Sequence, residues 1–246
     1  MKLYGLIGYP LGHSFSASYF ADKFSREGID AEYRNFPLED ISSFEELVKQ
    51  EPGLQGLNVT VPYKQKIIPF LQSLSDSAEE VGAVNTVSFF RKGGALALKG
   101  DNTDVIGFRR SLEENLDSHH RAALVLGSGG SSKAVCKVLE KIGLEYTLVS
   151  RKRGEDRIPY SDLDEEKIQR YPVIINTTPL GMYPQIDSYP DIPYEHLNSK
   201  HLLFDLVYNP ALTRFLEKGK KQGSLYVNGY DMLVYQAEAS WEIWNA

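Results

Sequence analysis

Cysteine is almost absent: Cys136 is the one thiol in 246 residues. A single cysteine excludes an intramolecular disulfide framework and an all-cysteine zinc site. It fits a reducing, cytoplasmic setting. Long hydrophobic runs are missing too, since nothing approaches the roughly eighteen apolar residues of a membrane span. The opening stretch Met1-Lys2-Leu3-Tyr4-Gly5-Leu6-Ile7-Gly8-Tyr9-Pro10 carries one basic residue and is broken by glycine and proline, a poor secretory leader. Positive charge is not in excess either. Lysine and arginine number 27 against 33 acidic residues, a net charge of −6, so neither nucleic acid nor a membrane is an expected partner. The histidines (His13, His119, His120, His196 and His201) show no ligand spacing, and no metal is expected. What is present is ordinary globular material, 42% hydrophobic and 24% charged. That is enough to build a core. The length suits one large domain or two modest ones.

Apolar runs alternate with amphipathic stretches, the pattern of α/β layering. Strands are expected at 3–7, 31–36 and 56–61, the last cut by Pro62, which lacks a backbone donor. Helices are expected at 17–27 and 42–50, and at 64–74 despite Pro69. Segments 83–90 and 95–99 flank Arg91-Lys92-Gly93-Gly94 and predict a hairpin. In the second half, 122–126 reads as a buried parallel strand, 127–132 as a glycine–serine loop and 133–142 as a helix. Strands follow at 144–150, 173–176 and 202–208, and helix periodicity returns over 232–244. Junctions near 102–107 and near Gly229 divide the chain into an N-terminal α/β domain, an inserted nucleotide-type domain and a tail that folds back on the first.

The loop Gly127-Ser128-Gly129-Gly130-Ser131-Ser132 sits between a strand and a helix. Gly127 suits a tight turn. Gly129 and Gly130 remove Cβ atoms where a pyrophosphate approaches the backbone, and Ser132 is small enough for close helix packing. The helix N-terminus offers free N–H groups and a partial positive charge. The next strand ends in Ser150-Arg151-Lys152-Arg153 instead of the acidic residue that suits NAD. Arginine can pair with a 2′-phosphate that a carboxylate would repel. Ser150, Arg151 and Lys152 therefore point to NADP.

Three polar clusters lie in the N-terminal half: Gly12-His13-Ser14-Phe15-Ser16, Asn58-Val59-Thr60-Val61-Pro62-Tyr63-Lys64, and Asn85-Thr86 with Gly100-Asp101-Asn102-Thr103-Asp104. Hydroxyls, amides, one lysine and a carboxylate suit a small polyhydroxylated acid. Any one of these residues alone serves equally as turn chemistry or a helix cap. Spacing alone does not bring Lys64 and Asp104 together.

Taken in order, Ser14-Phe15-Ser16, Asn58 to Lys64, Gly82-Ala83-Val84-Asn85-Thr86, Asn102-Thr103-Asp104, Gly127 to Ser132, Asn176-Thr177-Thr178-Pro179, Asp205-Leu206-Val207-Tyr208-Asn209-Pro210 and Gly229 to Ala237 resemble the shikimate dehydrogenase family. The resemblance runs over nearly the whole chain. It implies NADP-dependent, reversible reduction of 3-dehydroshikimate to shikimate, in the shikimate pathway of aromatic amino-acid biosynthesis. It implies a substrate domain of residues 1–103 and 230–246 with a mixed sheet, and a Rossmann-type NADP domain of 104–229. Lys64 and Asp104 would be the catalytic pair. Ser14, Ser16 and Tyr208 would hold the substrate carboxylate, and Thr60, Asn85 and Gln236 would bind ring hydroxyls or line the pocket. Thr177, Val207 and Gly229 join Gly127, Gly129, Gly130, Ser131, Ser132, Ser150, Arg151 and Lys152 as expected cofactor contacts. Ser150 stands where an asparagine is common in the family. The expected partner is a small molecule, and the expected state is a monomer or homodimer. Two other readings stand beside this one: a quinate/shikimate dehydrogenase, and a non-catalytic NADP-binding regulator, against which an intact Lys64 and Asp104 count.

Overall fold

The computed structural model describes residues 1–11 and 14–246 (for Lys92, the backbone alone). Gly12 and His13 of the first polar cluster lie outside the described residues. The chain forms two compact units, Met1–Thr103 with Ala237–Ala246, and Asp104–Gln236.

In the first unit β1 (Lys2–Gly8), α1 (Phe15–Glu27), β2 (Ala31–Pro37), α2 (Phe44–Gln50) and β3 (Leu54–Val59) make two parallel crossovers. There follow β4 (Ser73–Leu74), α3 (Asp76–Val81), β5 (Thr86–Lys92) and β6 (Ala95–Asp101). The sheet order is β2-β1-β3-β5-β6-β4, and β5 runs antiparallel to both neighbours. Strand β1 is apolar on both faces. Leu3 and Ile7 join one core cluster, whereas Tyr4 and Leu6 join another with Phe20, Phe24 and Ala237.

The second unit contains α4 (Asp104–Glu113), β7 (Ala122–Leu126), α5 (Gly130–Ile142), β8 (Glu145–Ser150), β9 (Arg157–Pro159), α6 (Glu165–Arg170), β10 (Val173–Asn176), β11 (Leu202–Asp205), α7 (Arg214–Lys221) and β12 (Leu225–Val227). Its sheet is parallel throughout, in the order β12-β11-β10-β7-β8-β9. Counted from β7, that is the doubly wound order 3-2-1-4-5-6 read from its far edge. Its ligand crevice lies where the order reverses, between β7 and β10. Strands β7, β10 and β11 are buried along their full length, which is why their sequences are apolar runs up to the Asn176 and Asp205 that close β10 and β11.

The last helix, α8 (Tyr230–Trp244), runs from the second unit into the first. Trp244 lies over Gly56, where any Cβ would overlap the indole, and donates its Nε1–H to the Val87 carbonyl at 3.1 Å. Buried Lys23 bonds Glu238 at 2.9 Å and Glu27 at 3.0 Å, tying α1 to α8.

Several expectations are corrected. Residues 64–74 are turns, a three-residue 3-10 segment at Ile68–Phe70 and the edge strand β4, not a helix. Pro69 removes a donor, and Gln72 instead bonds Leu98 through its backbone N–H and its side-chain oxygen. Helix α5 starts at Gly130, three residues before the expected Lys133, so Ser131 and Ser132 lie in its first turn. Strand β11 ends at Asp205, not Tyr208. Residues 104–113, part of which reads as a junction, are the helix α4. The second division of the chain falls after Gln236, within α8.

Candidate active site

The second unit presents a dinucleotide cradle at its switch point. Gly127 has φ +114°, open to glycine but strained for other residues. Its N–H donates to Val149 O at 2.8 Å. A Cβ on it would stand 2.7 Å from Thr177 Oγ1. Thr177 in turn bonds Leu126 O through its N–H at 2.9 Å and its hydroxyl at 2.7 Å. The turns after β7 and β10 are thus locked together. Gly129 and Gly130 face open space, where a Cβ would meet no protein atom. Gly129 caps α5 without a side-chain bond, so the first-turn N–H groups remain for an anion. Ser132 is buried and donates to Gly129 O at 2.7 Å, whereas Ser131 is exposed. These are the properties a pyrophosphate needs.

Buried Ser150 ends β8 and donates to Lys152 O at 2.6 Å, shaping the turn that exposes Arg151 and Lys152. Arg153 pairs with Asp162. Arg151 and Lys152 have no ion-pair partner among the described residues. The Arg151 guanidinium lies close enough to Tyr160 to oppose the upward push that burial gives that phenol, which stands at about 12. On the other side of the crevice Val207 is buried, and its carbonyl accepts from Gly229 N–H at 3.3 Å. Tyr208 is partly exposed in the same loop.

Most of the expected substrate residues lie in the first unit, on a buried polar network, whereas Asp104, Tyr208 and Gln236 belong to the second. Ser14 caps α1, its Oγ accepting from Ala17 N–H at 3.4 Å, which leaves its hydroxyl hydrogen for an anion. Ser16, the second residue of α1, lies near enough to the Tyr33 phenol to oppose the upward push of that phenol's burial. Tyr33 donates to Asn58 Oδ1 at 2.8 Å. The Asn58 amide donates to Asn85 O and Thr86 Oγ1 at 3.3 Å and to Ser240 Oγ at 3.0 Å. Asn85 Oδ1 accepts from Thr103 N–H at 2.7 Å, and Asn85 Nδ2 donates to Thr103 Oγ1 at 3.0 Å. Thr60 follows β3, with its N–H on Ile7 O at 2.9 Å. The Lys64 carbonyl accepts from Val84 N–H at 2.7 Å, which sets Lys64 beside the segment that carries Asn85 into β5. Asp104 opens α4 next in chain to Thr103, where a carboxylate suits the helix dipole. Gln236 is buried on α8 and donates to Leu233 O at 3.0 Å.

Tyr33, Ser240 and Thr213 belong to no motif of the sequence, and Asn176 and Asp205 stand in its motifs without an assigned role. Ser240 had a signal, since it lies one helical turn after Gln236 on the same face. Asp205 had another, a charge closing an otherwise apolar strand.

Among the described residues, Asp117, His119 and His120 bring ligand-type atoms within 4.8 Å of one another. His120 Nδ1 accepts from Asp117 N–H at 2.9 Å, and its Nε2 lies 3.1 Å from Lys200 O. That pattern puts the proton on Nε2 and leaves neither nitrogen a lone pair for an ion. Among the described residues no helix is long and apolar enough to cross a membrane.

Residues 6–87 match the model of the shikimate dehydrogenase substrate binding domain. The chain is 35% identical to shikimate dehydrogenase (NADP(+)) of Methanococcus vannielii over 263 residues, covering 98% of this chain and 90% of the relative. It is similar to the crystal structure of shikimate 5-dehydrogenase from Thermus thermophilus in complex with NADP(H) and shikimate, with TM-score 0.85, 28% identity and coverage of 99% and 93%. It is also similar to quinate dehydrogenase from Corynebacterium glutamicum in complex with NAD, with TM-score 0.87, 26% identity and coverage of 99% and 93%.

Proposed function

The chain belongs to the shikimate dehydrogenase family, and on that premise we propose that it interconverts 3-dehydroshikimate and shikimate with NADP as cofactor. The observation that carries the reading is the glycine turn at the switch point of a parallel sheet, followed at the end of the next strand by arginine and lysine instead of a carboxylate. NADP, when bound, supplies or accepts the hydride. The cradle fits it: Gly127, Gly129, Gly130, Ser131 and Ser132 would hold the pyrophosphate, and Ser150, Arg151 and Lys152 the 2′-phosphate. Thr177, Val207 and Gly229 would line the opposite half of the crevice. In this reading Met1–Thr103 with the end of α8 is the substrate unit and the rest is the cofactor unit.

The chain's own chemistry is a proton transfer. In the direction of reduction, the Lys64 ammonium gives a proton to the ketone oxygen as it gains negative charge. In oxidation the neutral amine takes the hydroxyl proton back. Asp104 holds the ammonium in place by charge. Ser14, Ser16 and Tyr208 hold the ring carboxylate by hydroxyl donation. Thr60, Asn85 and Gln236 meet the ring hydroxyls, with Asn85 aimed by Thr103 and Asn58. The enzyme works on a small molecule in the cytoplasm, as a monomer or homodimer. Reduction of NADP+ and of NAD+ with shikimate and with quinate, measured side by side, tests the reading. Shikimate with NADP+ is expected to give the highest kcat/KM. Quinate in its place would assign the chain to the quinate branch of the fold. NADP+ binding with no turnover of either acid would make it a binding protein.

A further inference from the structure

Asp205 closes β11 with no exposed surface. Among the described residues no cation pairs with it. Its Oδ1 accepts from Asn176 Nδ2 at 2.9 Å and Val207 N–H at 3.0 Å, and its Oδ2 accepts from the Thr213 hydroxyl at 2.6 Å. Each donor belongs to a different segment. Val207 lies in the loop that carries Tyr208. Asn176 ends β10, and its Oδ1 takes the Thr178 N–H at 3.0 Å and hydroxyl at 2.6 Å, which fixes the turn just beyond Thr177. Thr213 caps α7, accepting from Leu216 N–H at 3.4 Å. One carboxylate therefore ties together the turn after β10, the loop after β11 and the start of α7. If the 2′-phosphate end of the cofactor lies at β8, its nicotinamide end lies on this opposite side of the switch point.

A buried anion without a cation is costly. Here burial pushes the carboxyl up to about 6 against the three donors that hold it down. Among the described residues, the other titratable group that senses it is the Tyr194 phenol, kept neutral by its own burial. A neutral residue would suit folding better, whereas a carboxylate has the distinct property of accepting at every lone pair and donating nothing.

We propose that Asp205 is a positioning residue for the reaction: as an acceptor-only anion it holds the Thr177–Leu180 turn and the Leu206–Tyr208 loop where they meet the nicotinamide end of the cofactor and the substrate carboxylate. The proposal rests on the dehydrogenase reading above. Protonation converts one oxygen into a donor facing N–H or O–H groups, so the loops loosen as pH falls through about 6. Stability moves the other way. The folded carboxyl binds its proton more tightly than the unfolded one at 3.8, so the charge destabilises the fold above about 6 and that cost fades on acidification.

The test uses the full chain, Asp205→Asn, and NADP+ as the probe. At pH 7.5 Asp205→Asn is expected to weaken NADP+ binding by about tenfold, the scale of a hydrogen bond to a charged group, with a Tm equal to or above that of the unaltered protein. A merely structural role predicts a lower Tm in step with the lost affinity. Between pH 7.5 and 5.5 the unaltered protein should lose more affinity than the variant. The 2′-phosphate titrates in the same range, so the difference between the two proteins is the readout. If Asp205→Asn fails to fold, the Val207 amide of the unaltered protein still reports, because its N–H donates to the carboxylate. Its NMR shift should titrate near 6. Unchanged NADP+ binding in Asp205→Asn, a Tm that falls with affinity, or a Val207 amide flat between about pH 5 and 7 overturns the proposal. An unaltered protein that binds no NADP+ at all sinks the dehydrogenase reading instead, while the Val207 titration remains a separate observation.

Discussion

The two sheets handle polar groups in opposite ways. The first carries amides and hydroxyls into its centre. Tyr33, Asn58, Asn85, Thr86, Thr103 and Ser240 share hydrogen bonds there, almost without exposure. The second keeps the interiors of β7, β10 and β11 dry and places polar groups at the C-terminal ends of its central strands, where Ser150, Asn176 and Asp205 sit, with Gly127 just beyond β7. The difference follows from what each unit has to recognise. A small hydroxylated ring offers few atoms, and side chains must meet each one, so those side chains need partners that fix them. A dinucleotide offers phosphates that backbone N–H groups can hold, so glycines that let the chain approach matter more than side chains.

That contrast can be broken or sharpened at five points. The largest effect is expected in the first unit. Lys64→Ala should lower kcat by at least about a hundredfold, within the usual range of a positioned acid–base group, with NADP+ binding unchanged. Asp104→Ala should be severely impaired too, and the double variant little worse than the worse single one, as for residues acting as a unit. Steady-state kinetics with NADP+ titration decides this. Near-normal kcat in Lys64→Ala would move proton transfer elsewhere.

The next effect lies in the second unit. Gly127→Ala places a Cβ 2.7 Å from Thr177 Oγ1 at a φ of +114°. Strain of this kind costs about 1–3 kcal/mol. It should appear as weaker NADP+ binding and a lower Tm with little change in shikimate KM at saturating cofactor. Weaker shikimate binding instead would show that the glycine turn serves the substrate.

Two changes of similar, smaller size compare side-chain recognition in the two units. Ser14→Ala should raise shikimate KM by about tenfold, since a hydrogen bond to a charged group is worth roughly 1.5–3 kcal/mol. Arg151→Ala should shrink the preference for NADP+ over NAD+ by about the same factor, and equal use of both cofactors by the unaltered enzyme would remove Arg151 from the selector. Ser14 also caps α1, so a matched loss of Tm would mark the cap as its main role.

The smallest effect is on stability against pH. Burial holds His120 and His201 below the ordinary 6.5. The unfolded chain therefore takes up protons first. Stability is complete above about 6.5 and falls as pH drops through the depressed folded values. Asp205 contributes with the opposite sign below about 6. Melting at pH 8 and 5.5 should show a net loss in the unaltered protein and a smaller one in His201→Gln. An equal loss in both would clear His201.

Much of this was legible in the residues. The dry strands at 122–126 and 173–176, the glycine loop between strand and helix, and the missing carboxylate after Val149 each express a local rule: burial on both faces, close backbone approach, charge against a 2′-phosphate. Local rules act within a few residues, so one sequence suffices to read them. The 64–74 segment shows where local rules stop. Its apolar spacing suited a helix, but the Pro69 donor loss and the pairing of Gln72 with Leu98 decided otherwise. What only the tertiary structure decided is which distant groups share a hydrogen bond. Asn58 meets Ser240 across 182 positions, and Asp205 meets Asn176 across 29. A buried polar atom takes whatever partner the packed core brings within about 3 Å, and that choice is made by the sheet order and the docking of α8, which no stretch of sequence carries by itself.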